Sequence, residues 1–423
     1  MQQYCYILSW STMELETLFT EALGIKLPWR ITALDFDSVE RRLNINVDFE
    51  RGATFEYEDP ETREKGRYKV HDTVYKTWRH LNFFEHECYI NARTPRIKPP
   101  TGGVKLIMPP WSGVVKGFTL LFEALAMQLC TNMPVSQASK ILNVSDHRLW
   151  RVLECYVFKA MHDADYSEMQ AVGMDETSLK KGHNYITLFV DMIKKKTTFI
   201  AEGKDNKTVK AFAENLEENK GSRTNIKDVS CDMSPAFIKG VTEQLPEAQI
   251  TFDKFHVLKI INEAVDRVRR AEAKDNPVLK GSRYALLKNE QNLTKSQKAK
   301  RESLSGMNLK SMKALGIREA FQAIYQASSV ESFERLLKEW YFWVTHCRIP
   351  QMVAVAKMIK SHWDGILAWK KSQITNGILE GLNSIIQAAK RKARGYKFEH
   401  FKVMAYLLTG KLDLKKVNPF LPT

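Results

Sequence analysis

The most regular pattern of hydrophobic and polar residues lies between residues 170 and 270. Short apolar runs there predict strands over Ala171–Ser178, His183–Asp191 and Thr197–Glu202. Downstream, strand-like runs alternate with segments whose apolar residues recur every three or four positions, as in helices with one buried face. We predict these elements in chain order: helix Lys207–Asn219, strand Ile226–Asp232, helix Pro235–Gln244, strand Gln249–Phe252 and helix Phe255–Arg270.

Three sequential strands followed by strand–helix alternation is the order expected for an RNase H-like α/β core. Residues 271–370 interrupt this order, because they show helical periodicity and no strand pattern, and the core pattern returns at Ile374–Lys390. We therefore predict an all-helical insertion, with basic runs at Arg267–Arg270 and Lys295–Arg301. We interpret its aromatic residues as helical core: Trp340, Trp343, Trp363 and Trp369.

The first 110 residues follow a different pattern. A helical piece at Leu15–Leu23 precedes alternating runs at Arg42–Phe49, Thr77–Leu81 and Glu87–Ala92. Alternation of apolar and polar residues is typical of strands with one buried face, and the prolines and glycines of residues 95–103 end the pattern. We predict a small β-rich module, followed by a helical segment from about Gly113.

Residues 134–155 have the pattern of a helix-turn-helix. Val135–Leu142 is periodic, with the small Ala138 where two helices must approach closely, and Asn143-Val144 forms the turn before Ser145, a helix-capping residue. In the second helix, Leu149 and Val152 would face inward, and two arginines, Arg148 and Arg151, would be exposed. Such a helix can enter the major groove of DNA, although an ordinary αα-hairpin is the alternative.

These patterns predict a multidomain α+β protein. The expected domains are a β-rich DNA-binding module (1–110), a helix-turn-helix domain (111–165), the first part of the core (166–270), the helical insertion (271–370), and the last core helix with a basic tail (371–423).

Charge and cysteine content narrow the class of protein. The 64 Lys and Arg residues exceed the 49 Asp and Glu residues by 15, which favours a polyanionic partner, most often nucleic acid, over a merely soluble basic protein. The six cysteines are scattered without CxxC spacing, so neither a disulfide framework nor a four-thiolate zinc site is indicated.

The longest apolar stretch, near Phe118–Leu129, contains Glu123 and is too short to cross a bilayer. We expect a cytoplasmic protein without a membrane partner.

Three carboxylates fall where such a core could bring them together. Asp175 and Asp232 end apolar runs, and Glu380 lies in a helical segment that leads into a basic block. Because alternate residues of a strand share a face, adjacent strands would bring the two aspartates together. On its helix, Glu380 shares a face with Asn383 and Gln387, while the opposite face packs inward through Ile378, Leu382, Ile385 and Ile386.

Such a set of oxygen ligands suits Mg²⁺, and Mn²⁺ would accept the same ligands. Two Mg²⁺ ions about 3.5–4 Å apart activate the nucleophile and stabilise the leaving oxygen in phosphodiester chemistry. Taken singly, each of these acids is more often a turn former or a solvated helix charge.

The chain resembles the DDE transposases of bacterial insertion sequences, specifically the ISL-three family, over nearly its whole length. The motifs that carry the resemblance in the first 100 residues are Pro28-Trp29, Asp35–Asp37, Val47–Gly52, Val70–Asp72, Trp78–Leu81 and Pro95-Arg96. The motifs that are specific in their joint order and spacing are Gly173–Glu176, Asp232–Ser234, Phe252–Val257, Asn376-Gly377 with Glu380-Gly381 and Asn383, and Lys390–Tyr396.

The resemblance implies roles for individual residues. Asp175, Asp232 and Glu380 would be the catalytic and metal-binding triad, holding two Mg²⁺ ions that Mn²⁺ can replace. Asp253 and His256 match a D-x-x-H element that, with Asn383, would shape the site or contact DNA near the cleavage point; a packed core histidine is the alternative for His256. DNA phosphates would be bound by the basic block of Lys390, Arg391, Lys392 and Arg394.

One departure concerns zinc. The family usually carries a zinc ribbon in its N-terminal module, and its ligand positions fall here on Tyr57, Pro60, Pro99 and Gly102. None of these side chains can bind zinc, so we expect no structural zinc.

The implied function is a transposase that binds the terminal inverted repeats of an insertion sequence and carries out metal-dependent DNA cleavage and strand transfer. Its partner would be double-stranded DNA, bound by a homodimer or larger assembly in the bacterial cytoplasm at the nucleoid. Two alternatives remain: a nuclease of the same fold, and a domesticated transposase that acts as a DNA-binding regulator. Loss of an acid would favour the regulator, and none of the three is lost.

Overall fold

The computed structural model describes residues 15–100, 102–178, 185–372 and 377–421. They form two compact units. One contains the residues up to His162 together with those from Leu412 onward, and the other is Asp163–Lys411. The finer division into five domains stays a prediction.

The first unit contains a six-stranded sheet. After a helix over residues 15–23 (α1), its strands are β1 (Trp29–Asp37), β2 (Arg42–Phe49), β3 (Thr54–Glu58), β4 (Lys65–Phe83), β5 (His86–Ile97) and β6 (Lys105–Leu106). The order is β1-β2-β5-β4-β3, with β6 beside β5, and neighbouring strands are antiparallel except β2 and β5.

The β-rich character of this module is confirmed, but its extent was underestimated. Strands β1, β3 and the two-residue β6 were not predicted, and β4 is far longer than the predicted Thr77–Leu81. Most of β4 before Trp78 is exposed or half-buried, so its hydrophobic alternation is weak. An aromatic core holds the sheet: the Trp29 ring meets Phe49 edge-on at 5.5 Å and Trp111 at 5.0 Å between ring centroids.

Three helices follow in the same unit: α2 (Leu120–Asn132), α3 (Val135–Leu142) and α4 (Asp146–His162). Asn143 ends α3 in the left-handed conformation (φ 52°, ψ 48°). Ala138, Leu149 and Val152 are fully buried, which confirms the predicted packing of the helix pair.

The helix predicted from about Gly113 begins only at Leu120, so the predicted first residue of this helix is wrong. The Thr119 side chain caps α2 by accepting from the Phe122 N–H. The preceding turn is held by the buried Glu123 carboxylate, which accepts hydrogen bonds from the Val114 and Val115 N–H groups at 2.8 and 2.7 Å. These bonds replace the helical hydrogen bonds that residues 113–118 would otherwise have formed.

The second unit contains a five-stranded sheet in the order β11-β10-β7-β8-β9. Its strands are β7 (Ala171–Ser178), β8 (Tyr185–Asp191), β9 (Lys196–Glu202), β10 (Asp228–Cys231) and β11 (Gln249–Phe252). Strands β7, β8 and β9 are antiparallel, whereas β10 runs parallel to both β7 and β11. The accompanying helices are α5 (Asn206–Glu218), α6 (Pro235–Gln244) and α7 (Lys254–Glu272).

Sequence analysis placed each of these strands and helices to within two residues of its described ends. The first two residues of the predicted strand His183–Asp191 lie outside the described residues.

Residues 271–370 are helical as predicted, and their described structure contains no strand. The helices are α8 (Arg283–Leu287), α9 (Lys295–Ser305), α10 (Lys310–Ile324), α11 (Val330–Thr345), α12 (Pro350–Ser361) and α13 (Trp363–Ser372). Their hydrophobic core is continuous with that of the sheet, since Phe321 and Trp340 belong to one buried cluster with Phe189 and Val229.

The prediction that all four tryptophans are core residues is wrong for Trp343. Trp340 and Trp363 are buried and Trp369 packs against the core, but Trp343 is 40% exposed. It lies about a quarter turn away from the buried stripe of α11. That stripe consists of Phe333, Leu337, Trp340 and Val344.

The last two helices are α14 (Gly377–Lys392) and α15 (Phe398–Thr409). Ile386 is buried and Ile378 and Leu382 pack around the buried Leu379, as predicted for the inward face. The prediction fails for Ile385, which is 48% exposed. Within the described residues, no helix combines the length and the apolar character needed to cross a bilayer.

Candidate active site

The two predicted aspartates lie at the same level of neighbouring strands. Asp175 is in β7, and Asp232 directly follows β10. These strands are parallel with Ser230 opposite Gly173, so continuing the register by two residues places Asp232 beside Asp175. Both side chains are partly buried. The predicted convergence of the two acids therefore follows from the strand order.

A third acid lies level with these two aspartates, so that the three form a row across adjacent strands. Strand β11 pairs with β10 in parallel with Cys231 opposite Phe252, which puts Asp253 level with Asp232. Neighbouring strands are about 4.8 Å apart. The register therefore places Asp175, Asp232 and Asp253 at the same level of three adjacent strands.

Helix α14 lies against β7 because Gly173 has no side chain. A Cβ atom at Gly173 would lie 2.9 Å from Leu379 Cδ1 and 2.5 Å from Met192 Sδ, so a larger residue would push α14 away. This close approach brings the polar face of α14 next to Asp175.

The polar face of α14 bonds β7 at three points. Asn383 Nδ2 donates to Asp175 Oδ2 at 2.6 Å, and Gln387 Nε2 donates to Thr177 Oγ1 at 2.7 Å. Lys390 Nζ donates to the Ser178 carbonyl at 2.6 Å. Sequence analysis found the face of Asn383 and Gln387 but missed its partners, Thr177 and Ser178. No local pattern could reveal them, because the bonded residues are more than 200 positions apart.

The carboxamide of Asn383 leaves one polar atom without a partner. Its Nδ2 is bonded to Asp175, whereas its buried Oδ1 accepts no hydrogen bond from any described residue. A buried acceptor without a hydrogen bond lowers the stability of the fold unless a donor or a cation reaches it. With Asp175 and Asp232 nearby it completes a set of hard oxygen donors, the chemistry that fits a divalent metal.

Glu380 is exposed in the first turn of α14, one helical turn before Asn383. Among the described residues, no group of three His, Cys, Asp or Glu side chains is close enough to hold a metal ion. The strand register places Asp175 level with Asp232, but Glu380 is not gathered with them, so the triad stays a prediction.

Burial dominates the electrostatics of Asp175. Desolvation raises its pKa from 3.8 to about 6, although the His256 charge and the Asn383 hydrogen bond act in the opposite direction. Burial also raises the pKa of the neighbouring Glu176, against the effect of Lys204, whose Nζ lies 3.9 Å from Glu176 Oε2. At Asp175 and Glu176, the nearby positive charges thus offset only part of the effect of burial.

His256 is coupled to this row of acids through Asp253. Asp253 is 5% exposed and caps α7, since its Oδ1 accepts from the Phe255 N–H at 3.2 Å. Its Oδ2 bonds His256 Nδ1 at 2.8 Å. That hydrogen bond raises the pKa of His256, and the charges of Asp253, Asp175 and Asp232 act in the same direction. The ring is 35% exposed, so the alternative of a packed core histidine does not describe it.

The predicted phosphate-binding residues differ in their surroundings. Arg151, Arg391, Lys392 and Arg394 are exposed. Arg148 is also exposed, as predicted, but its guanidinium lies 3.9 Å from the centre of the Phe118 ring, with Nη2 3.4 Å from the Gly117 carbonyl oxygen. Lys390 is engaged with Ser178. Arg148 and Lys390 therefore have partners within the protein besides any role toward DNA.

A helix-turn-helix in one unit, and a sheet edge lined with carboxylates in the other, define the chain as a DNA-processing enzyme. Known proteins agree: a family model for DDE transposases of family ISL3, described as a transposase, matches residues 172–405. A second family model, the helix-turn-helix domain of transposase family ISL3, matches residues 110–157. The chain belongs to this family, the ISL-three family of DDE transposases, and is a DNA-binding transposase.

Individual relatives are similar over most of their length. The transposase for insertion sequence element IS1001 of Bordetella parapertussis is 27% identical over 342 residues, which cover 79% of this chain and 84% of the relative. The transposase for insertion sequence element IS1557 of Mycobacterium tuberculosis is 27% identical over 380 residues, which cover 82% of this chain and 83% of the relative.

Proposed function

We propose that this transposase binds the terminal inverted repeats of an insertion sequence, then cuts and joins DNA at the edge formed by β7, β10 and β11. The observation that carries the proposal is the partly buried Asp175 carboxylate, held by Asn383 and level with Asp232. Three antiparallel strands followed by a parallel pair support an RNase H-like core, with residues 271–370 inserted into it.

Divalent metal dependence is implied by the DDE family, and the residues at this edge fit such an ion. Asp175 and Asp232 would hold two Mg²⁺ ions with Glu380 as the third acid, the Asn383 Oδ1 atom is available beside them, and Mn²⁺ could replace Mg²⁺. When bound, such ions lower the pKa of an attacking water or 3′-hydroxyl and stabilise the leaving oxygen.

The surrounding residues would orient and balance this chemistry. Asn383 holds the Asp175 carboxylate in one orientation through its 2.6 Å hydrogen bond. Protonated His256, oriented by Asp253, would supply positive charge near the reacting phosphate. We assign neighbouring phosphates to the basic end of α14 and the segment that follows it. The residues of that group are Lys390, Arg391, Lys392 and Arg394.

The helix-turn-helix would read the end of the element, with Arg151 and Arg148 of α4 toward the DNA. Because the two ends of one element must be processed together, we propose a homodimer or larger assembly on double-stranded DNA, with one active site per end. We place the protein at the bacterial nucleoid, where this substrate lies.

The test is cleavage and joining of a labelled duplex that carries the element's own end, with Mg²⁺, with Mn²⁺ and with EDTA. Asp175→Asn, Asp232→Asn and Glu380→Gln should each lower cleavage about a thousandfold or more, while end binding stays within about twofold of the wild type. Glu399→Gln, a change at an exposed acid of α15, is the matched control and should cleave normally.

The variants separate the parts of the proposal. Wild-type cleavage by Glu380→Gln would remove Glu380 from the triad and leave the two aspartates in place. Metal-independent product, or product from Asp175→Asn, would overturn the proposed chemistry. Binding without product in the wild type would identify a DNA-binding regulator.

A further inference from the structure

A second candidate binding site lies in a cleft of about 660 Å³ between α7, α8 and α10. Two carboxylates line it, Glu263 and Asp266, and Asp266 already pairs with Arg270 at 3.2 Å. Against these two acids, six basic side chains give the lining four surplus positive charges. The six are Lys254, Lys259, Arg267, Arg270, Arg283 and Arg318.

Part of this positive charge has no partner in the protein. Lys259 and Arg267 are exposed, and neither forms an ion pair with a described carboxylate. Arg318 is only 2% exposed; it pairs with Glu319 at 3.4 Å, and its Nη1 donates to the Leu287 carbonyl at 2.8 Å. Its buried Nε has no hydrogen-bond acceptor among the described residues. A buried donor without an acceptor is costly, so an anionic ligand in the cleft would be favoured.

An exposed aromatic ring lies at one end of the cleft. Phe255, in the first turn of α7, is 66% exposed, which is unusual for so large an apolar side chain. Aromatic faces next to a positively charged groove are how proteins bind single-stranded nucleic acid, because every base can stack on them. From Phe255 to Arg270 the helix rises about 22 Å, enough to follow several consecutive phosphates of one strand.

The position of Phe255 links the cleft to the active site. The next residue, His256, bonds Asp253 at 2.8 Å, and the register of β10 and β11 places Asp253 level with Asp232. A strand that leaves the reacting phosphate could therefore enter the cleft at Phe255. The cleft volume falls in the range of about 300–1,000 Å³ typical of ligand-binding clefts, which suits nucleotides of one strand better than the convex side of a duplex.

On these grounds we propose that the cleft along α7 binds one unpaired DNA strand next to the cleavage point, with its phosphates on Lys259, Arg267 and Arg318 and a base on Phe255. This inference rests on the proposed function, because it assumes that the reacting phosphate lies at Asp175 and Asp232.

The test is fluorescence anisotropy with a labelled oligothymidine of about 12 nucleotides, within the site sizes of single-strand grooves. Phe255→Ala should weaken binding about fivefold or more, because it removes a stacking surface. Lys259→Ala with Arg267→Ala should reduce the salt slope by about 1.4, or about 0.7 for each lost phosphate contact. These side chains are exposed, and thermal unfolding will confirm that the variants fold.

The matched control is Lys210→Ala with Lys239→Ala, which removes the same charge from exposed positions on α5 and α6. The salt slope of this control should change by less than half of the change expected for Lys259→Ala with Arg267→Ala. The inference is overturned if the wild type does not bind the oligonucleotide, or if the Phe255→Ala affinity and the Lys259→Ala/Arg267→Ala salt slope both equal those of the wild type.

Cleavage of the duplex end, measured with the same preparations, distinguishes a failure of the strand-binding inference from a failure of the proposed function. If Asp175→Asn abolishes cleavage while the cleft variants bind the strand like the wild type, the cleft inference alone is wrong. If strand binding follows the cleft residues but cleavage does not depend on Asp175, the cleft is a strand-binding site, and the proposed active site is wrong.

Discussion

Replacing Asp175 by Asn should stabilise the folded protein at neutral pH when no divalent metal is present. Burial makes the ionised Asp175 carboxylate unfavourable in the folded state and raises its pKa from 3.8 to about 6. An asparagine of nearly the same shape carries no charge. Its Oδ1 can still accept the hydrogen bond that Asn383 donates to Asp175.

The size of the effect follows from the pKa difference. A shift of about two units corresponds to about 3 kcal/mol, at 1.36 kcal/mol per unit. Because the pKa of Asp175 is raised by folding, its contribution to stability is fully present below pH 3.8 and is lost as pH rises through about 6. The stability gained by Asp175→Asn should therefore stay under about 1 kcal/mol near pH 4 and reach a plateau of about 3 kcal/mol above pH 6.

Urea unfolding of the wild type and Asp175→Asn, near pH 4 and near pH 7.5 with a chelator, measures this difference directly. Asp275→Asn changes an exposed aspartate just beyond α7 and should show no such pH-dependent gain. Adding Mg²⁺ should then stabilise the wild type more than Asp175→Asn, because the ion binds the folded carboxylates. Equal stability of wild type and Asp175→Asn at the higher pH would refute the claim that a buried, uncompensated charge lies at Asp175.

Three further predictions concern neighbours of the site. His256→Gln removes a positive charge that lowers the pKa of Asp175, so the acid limb of the cleavage pH profile should move to higher pH; an unmoved limb would separate His256 from the site. Asn383→Ala should reduce cleavage about 10- to 100-fold with normal end binding, because it removes the group that orients Asp175; full activity would argue against that positioning role. Arg151→Ala should weaken duplex-end binding and reduce its salt slope by about 0.9, and an unchanged slope would make the helix pair structural.

The sequence predicted the second sheet well because its strands have strong local patterns. Strand β8 is an apolar run that is buried along nearly its whole length, and α5 and α7 each bury one clear stripe. Strand β1 lacks such a pattern, since most of its residues after Ile31 are exposed. A strand that is held mainly by backbone pairing to its neighbour gives little hydrophobic signal, which explains why β1 was missed.

The errors on helices have a common physical cause. α11 and α14 carry more large apolar residues than their buried faces can hold. Periodicity therefore identifies each helix but cannot decide which apolar residue at the margin is buried. Trp343 and Ile385 lie at such margins, and the elements packed against each helix leave them exposed.

Candidate residues could be chosen from the sequence, whereas the electrostatics of the site could not. Strand parity and the ends of apolar runs indicated Asp175 and Asp232, and their catalytic role stays a prediction. The burial that raises the pKa of Asp175 depends on α14, which approaches β7 through Gly173 and Leu379. These residues are far apart in sequence, so no local pattern could report their contact.

The partly buried charge of Asp175 links the stability of this edge to the chemistry that we propose for it. Burial makes the ionised Asp175 carboxylate unfavourable, and the charge of Asp253 adds to that cost. The protein relieves it in part, through His256 beside Asp253 and the Asn383 amide beside Asp175. A fully compensated site would be more stable, but it would leave no unbalanced negative charge to attract a cation. We therefore expect Asp175→Asn to raise stability and abolish cleavage together, whereas a purely structural role would lower both.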